Sequence, residues 1–205
     1  MAKTLGSTTD QLLDELDRTG QLTSQAHTYL DEAINHYKDD AFRFNEEVTS
    51  FPTVASNEYL DLPTNYGEHY TISIDNQGDG EYLPLTRLTM GEMDEKYSTQ
   101  TGRPLFYTIF QEQIRLCSIP DVSTHIIKMT YRVRPATATA ATQTNIFYEN
   151  ANSLIRCRAG MLIAKFILKD DEVSQRFSGE EMTALAKLRG LTATYQSTGR
   201  ARARR

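Results

Sequence analysis

The residues of this chain that could do chemistry are few, and their spacing suits none of the usual sites. The four histidines are His27, His36, His69 and His125. His27 and His36 fall on about the same side of one helix but more than two turns apart, too far for one metal ion. His125 lies on the apolar side of an alternating segment, where a hydrogen-bonded core histidine is expected rather than a ligand. There is no HExxH, no Walker loop and no GxGxxG. Asp75, Gln77 and Asp79 with Gly80 copy the first half of a calcium loop. Thr86 stands where a bidentate Glu is required, and the flanks read as strands, so a hairpin turn is expected. Acids are plentiful: Asp14, Glu15, Asp17, Asp39, Asp40, Glu46, Glu47, Asp94, Glu95, Asp170, Asp171 and Glu172. Any two could be drawn as an acid and a base for glycan cleavage, and nothing in the spacing picks out two. They read as solvated faces and helix-end charges. No catalytic, cofactor-binding or metal-ligating residue is nominated, and no cofactor is expected.

The cysteines, Cys117 and Cys157, stand 40 positions apart. Two buried reduced thiols are expected, although sequence alone leaves a disulfide open. The 205 residues carry a net charge of −5. The final RARARR holds four arginines; without them 18 basic residues face 27 acidic ones, or −9. An acidic body discourages non-specific binding to nucleic acid, and the basic end does the opposite. Arg200, Arg202, Arg204 and Arg205 have three readings: a solubilising tail, a protein docking segment, or a phosphate contact. The opening MAKTLGSTTDQ lacks the apolar core of a signal peptide. The longest apolar run, GMLIAKFIL, is broken by Lys165 and falls short of the ~20 residues a bilayer needs. A soluble protein made in a cytoplasm is expected, with no membrane partner.

The elements that must position these residues fall into three blocks. Thr8 or Thr9 is placed to cap TTDQLLDELDRTG, and Thr23 or Ser24 to cap TSQAHTYLDEAINHYKDDAFRF. The second segment repeats apolar residues at Ala26, Tyr29, Leu30, Ala33, Ile34, Tyr37, Ala41 and Phe44. From Thr49 the grammar is that of strands. FPTVASNEYLDLP gives one or two strands. HYTISID puts Tyr70, Ile72 and Ile74 on one face. YLPLTRL has a Pro and belongs at an edge. A short acidic helix or loop, LTMGEMDEKYSTQ, follows, then a hairpin of Leu105–Phe110 and Gln113–Ile119. In HIIKMTYRV, His125, Ile127, Met129, Tyr131 and Val133 share one face. PATATAATQT is a linker. Helical spacing then returns in NIFYENANSLIRCRAGMLIAKFILKD, with Phe147, Ala151, Leu154, Ile155, Leu162 and Phe166 as its stripe. A last helix starts near Ser178, where SGEE has the form of a capping box. The fold class expected is α+β. A bundle of about four helices (1–48 and 136–197) carries an inserted antiparallel, sandwich-like β domain (49–135) and a basic tail (198–205).

The arrangement resembles the head-to-tail connector proteins of short-tailed bacteriophages, the adaptor or gatekeeper-type tail tubular proteins. The resemblance rests on the order of AFRFNEEVTSFPT after a second helix, EYLDLP, GRPLFYTIFQEQIRLCSIPD, HIIKMTYRVRP and NIFYENANSLIRCRAGMLIAKFILKDDE, from about residue 8 to 195. It implies a structural virion protein and no enzyme. Such proteins form rings, commonly of twelve, beneath the portal protein. There they extend the channel for double-stranded DNA, without sequence-specific binding, and give a downstream tail or nozzle protein its platform. The arginine end would then dock in portal crevices. Another neck component, of head-closure or tail-terminator type, and a virion glycan hydrolase are the alternatives.

Overall fold

The computed structural model describes residues 3–75, 80–97 and 100–202. They form an α+β protein of two compact units. One takes the described residues up to Asn45 and from Arg134 onward; the other is Glu46–Val133.

In the helical unit, α1 spans Leu5–Glu15. It starts a turn earlier than Thr8 or Thr9 would set it. Thr4 is the cap: its hydroxyl accepts from the Ser7 amide at 3.2 Å, and the Ser7 hydroxyl accepts from the Thr4 amide at 2.9 Å. Two orphan amides are satisfied by that exchange. Thr8 and Thr9 are therefore buried inside the helix, where Thr9 donates to the Leu5 carbonyl and Thr8 accepts from Asn152. Helix α2, Thr23–Tyr37, has no side-chain cap; Leu22 turns the chain in with a left-handed φ of 56°. It buries Ala26, Leu30, Ala33, Ile34 and Tyr37, as its spacing predicts, but it ends at Tyr37 and not near Phe44. Unbroken helical phase would bury Ala41. Instead Ala41 is exposed, and a turn brings Phe42 fully into the core, stacked on Phe44 at 5.2 Å. The larger apolar surface decides the break. A 3₁₀ turn, Arg43–Asn45, follows.

The second half opens with α4, Ile146–Asn150, whose Phe147 and Tyr148 amides donate to the side chain of the cap Asn145. Helix α5 runs Asn152–Ile163 and passes into a π-helical turn, Ala164–Leu168. Phe147, Ala151, Leu154, Ile155 and Leu162 are buried as expected, but Phe166 is not. The extra residue of a π turn rotates the chain's face, so spacing counted in α-turns no longer holds. Lys169, left-handed at φ 56°, makes the corner; its amide and that of Asp170 both return to the Ala164 carbonyl. Helix α6 then spans Asp171–Arg202. The Asp170 carboxylate caps it by accepting from the Val173 amide at 3.0 Å. Ser178 is thus inside the helix, not its cap.

The β unit contains two four-stranded sheets, ordered β1-β8-β3-β4 and β2-β7-β6-β5. Its strands are β1 Glu46–Pro52, β2 Tyr59–Asp61, β3 Tyr66–Asp75, β4 Tyr82–Pro84, β5 Thr86–Arg87, β6 Phe106–Phe110, β7 Gln113–Cys117 and β8 Ile126–Val133. Helix α3, Met90–Tyr97, lies between β5 and β6. Among the described residues these strands pair antiparallel except β5 with β6. Strand character begins at Glu46, three residues before the expected change at Thr49, because β1 pairs with β8 from Glu46↔Arg132 to Pro52↔Ile126. Pro52 and Pro84 sit on edge strands, where no ladder donor is missed. The hairpin falls where expected, with Gln111 and Glu112 at φ 48° and 61°. A two-residue turn with both φ positive matches the twist of its strands. Inner faces of both sheets share one core, including Ile72, Ile74, Tyr107, Ile114, Ile127 and Met129. Tyr70 does not join it. Register shifts at Tyr66/Glu68 and His69/Thr71 break the alternation, leaving His69 half-buried and Tyr70 exposed.

Gly160 of α5 faces the Phe177 ring, and a Cβ there would lie 2.9 Å from it. Gly160→Val is expected to destabilise the protein by about 1–3 kcal/mol through overpacking. Gly179→Ala, where a Cβ meets nothing within 4 Å, is expected to be neutral or to gain up to ~1 kcal/mol from helix propensity. Urea unfolding of the two variants beside the parent checks both.

Candidate functional site

The residues that could have made an active site are dispersed. On α2, His27 is half-buried and His36 exposed, the latter edge-on to Tyr37 at 4.7 Å. His125 is a buried residue, as expected. Its Nε2 is 3.7 Å from Asp121, while Nδ1 finds no hydrogen-bond partner among the described residues. Burial more than hydrogen bonding fixes it. Among the described residues, no three of His, Cys, Asp and Glu gather as metal ligands would. Asp75 ends β3 opposite Tyr82 of β4, in an antiparallel pair rather than a helix-flanked loop; Gln77 and Asp79 lie outside the described residues. Many acids are neutralised by arginine: Glu58 and Asp94 by Arg115 at 3.2 and 2.6 Å, Glu15 by Arg156 at 3.2 Å, and Asp40 by Arg189 at 3.2 Å. Cys117 and Cys157 are free and buried. Burial, with Glu180 nearby, pushes the Cys157 thiol up to about 11. A thiol held protonated is neither nucleophile nor ligand.

One buried charge escaped the sequence reading. Glu181 is only 6% exposed. It accepts a short hydrogen bond from the Tyr37 hydroxyl and pairs with Arg158 at 3.4 Å. Burial and the Glu181 carboxylate push the Tyr37 hydroxyl well above its ordinary pKa. The partners come from α2, α5 and α6, 144 residues apart at the extremes, so no local pattern reveals them. The one available signal is helical phase. Ser174, Phe177, Glu181 and Thr192, all buried, mark one stripe once α6 is started at Asp171.

The surfaces of the helical unit are more suggestive than its titratable groups. A groove of about 720 Å³ runs between α6 and the start of α5, floored by residues such as Leu154 and Leu188, with Glu180 and Lys187 in its walls. Beyond it, Arg43 braces α6: its guanidinium lies 3.9 Å from the Tyr195 ring centre and its amide donates to Thr192 at 3.2 Å. Of the four arginines singled out, Arg200 and Arg202 belong to the last turns of α6. Arg204 and Arg205 lie outside the described residues. No helix among the described residues is long and apolar enough to cross a membrane.

In the β unit, His69 joins the two sheets. Its Nδ1 is hydrogen-bonded to the Tyr66 hydroxyl at 2.9 Å and its Nε2 to the Tyr107 hydroxyl at 2.8 Å. Burial, then the charge of Arg87, lowers its pKa.

A family model described as SU10 adaptor protein matches residues 3–205. No curated protein matches the chain.

Two outcomes follow from these networks. Tyr37→Phe leaves a buried carboxylate oxygen short of a donor and is expected to cost about 1–3 kcal/mol in urea unfolding. The His69 contribution is tied to the neutral ring. It is present in full above the ordinary value of 6.5 and is lost as pH falls through the lower folded value. Unfolding midpoints between about pH 8 and 5.5 are expected to slope downward, and His69→Phe to flatten that slope.

Proposed function

We propose, from the premise that the chain belongs to the SU10 adaptor protein family, that twelve copies form a ring beneath the portal of a bacteriophage and carry its DNA channel toward the tail. Membership makes the chain a structural phage protein of the virion neck, with portal and tail proteins as its partners. The observation that supports the reading is the span of that match, which covers both units, so the β unit belongs to the adaptor family's own chain.

The physical features agree with this assignment. A unit of two sheets whose described residues gather no metal-ligand cluster suits surface recognition, through edge strands and loops that meet neighbours and the downstream tail or nozzle protein. A chain of net charge −5 around a channel lets DNA slide, because like charge prevents binding through counterion release. The arginines at the end of α6, Arg200 and Arg202, together with Arg204 and Arg205, supply planar, bidentate donors for carboxylates in portal crevices. On this reading the subunit is made in the host cytoplasm, stays monomeric there, and forms its ring on the portal as template.

Native mass measurement of the chain mixed with its cognate portal ring tests the reading. Portal plus twelve copies is expected for the full-length chain, and weakened docking for a chain truncated after Thr198. The truncation leaves the Arg43 brace at Thr192 and Tyr195 in place, so the fold should survive it. Unchanged docking would return the arginines to a solubilising role. Stable dodecamers at low micromolar concentration without portal would overturn templated assembly. No complex with portal would favour a head-closure or tail-terminator role instead.

A further inference from the structure

The helical unit leaves a pair of adjacent apolar side chains in solvent. Phe166 and Ile167, in the π turn before the α5–α6 corner, are 48% and 40% exposed. Counted in α-turns, Phe166 would fall on the buried stripe of α5. The π turn instead presents both side chains outward as a knob, and such turns recur at functional sites. Lys165 and Lys169 flank the knob, and Asp171 follows it. The same unit carries the α5–α6 groove, whose volume of about 720 Å³ lies within the roughly 300–1,000 Å³ of sites that enclose a compact apolar group.

We propose that the π turn of one copy seats in the α5–α6 groove of the next copy, giving the ring its subunit contact. The inference rests on the ring reading above and supplies residues for it. Both surfaces carry charges of both signs. The lysines beside the knob have Glu180 in the groove wall to meet, and the acids Asp170 and Asp171 have Arg176 and Lys187. Such rim pairs set orientation and register more than affinity. Knob and groove are different surfaces of one chain, so every copy offers one of each. The contact is therefore heterologous, the kind that closes into a ring when its rotation permits. A contact centred on two side chains is small and weak alone, in keeping with assembly that needs a template.

Gly179 lines the groove, and a side chain added there meets nothing within 4 Å. It can be changed without disturbing the core. The decisive variant is Ile167→Cys with Gly179→Cys, bound to cognate portal, treated with a short bismaleimide and run on a denaturing gel. A ladder of covalent dimers, trimers and larger species is expected, with each single variant remaining monomeric. A full ring by native mass without a ladder would overturn the knob-and-groove contact and leave the ring reading standing. Crosslinks to portal alone would make the portal the groove's occupant and also overturn the contact between copies. If the parent forms no ring on portal, the ring reading fails. A ladder in concentrated free protein would then still support the contact, and none would overturn it. As a second measure, Gly179→Leu, which fills the groove, and Phe166→Ser, which removes the knob, should each lower ring yield at least about tenfold. Unfolding midpoints should not fall, and Gly179→Leu should keep or slightly raise its own. Full ring yield from either variant would overturn the contact.

Discussion

Glu181 is the point on which the helical unit turns. A carboxylate this deep must be paired, because burying an uncompensated charge costs far more than a hydrogen bond returns. Tyr37 and Arg158 pair it, and they come from two different helices. That requirement fixes the rotation of α6 about its own axis. With Glu181 turned inward, Phe177 meets Gly160 and Thr192 meets Arg43. The same rotation sends Glu180, Thr183 and Lys187 to the groove. A single buried acid thus decides which stripe of a 32-residue helix packs and which is left to recognise something else.

Much of this fold was legible because its signals are local. The alternation of Ile127, Met129 and Tyr131 gave β8 correctly, and the spacing of Ala26, Leu30, Ala33 and Ile34 gave most of α2. The hairpin of β6 and β7 announced itself through two alternating runs around a polar turn. Misplaced features were those decided by a competing local cap, by distant partners or by unusual backbone. Thr8 and Thr9 look like caps, but Thr4 and Ser7 had the better exchange of hydrogen bonds. SGEE looks like a capping box, but its Glu181 was claimed by Tyr37 across the bundle. Phe166 fitted a stripe counted in α-turns, and a π turn removed it.

The candidate site was less legible than the fold, for a physical reason. Catalytic and metal sites leave fixed residue types at fixed spacings, since bonds and proton transfers have strict geometry. A docking surface needs only apolar area, shape and matched charge, which many sequences can supply. Family resemblance therefore carried the functional reading, while the residues of the groove and of the knob emerged only in three dimensions. The terminal arginines stand out only as a charge pattern, and their docking role is part of the proposal above. A cluster of one charge in a chain otherwise of the opposite sign is visible without any structure.

Helix α6 brings these features into one mechanical element. Its first turn is set by the Lys169 corner next to the π turn, its middle walls the groove, and its last turns carry Arg200 and Arg202. A rigid helix rises about 1.5 Å per residue, so such surfaces keep fixed spacing along it. Seating a neighbour in the groove would therefore hold α6 in place and limit where its basic end can reach. Binding that end to a portal would, by the same rigidity, hold the groove ready for the next copy. By linkage the two events favour each other if both select the same placement of the helix. Assembly on a template, as proposed, would then need no large conformational change, only a helix whose ends and middle are read by different partners.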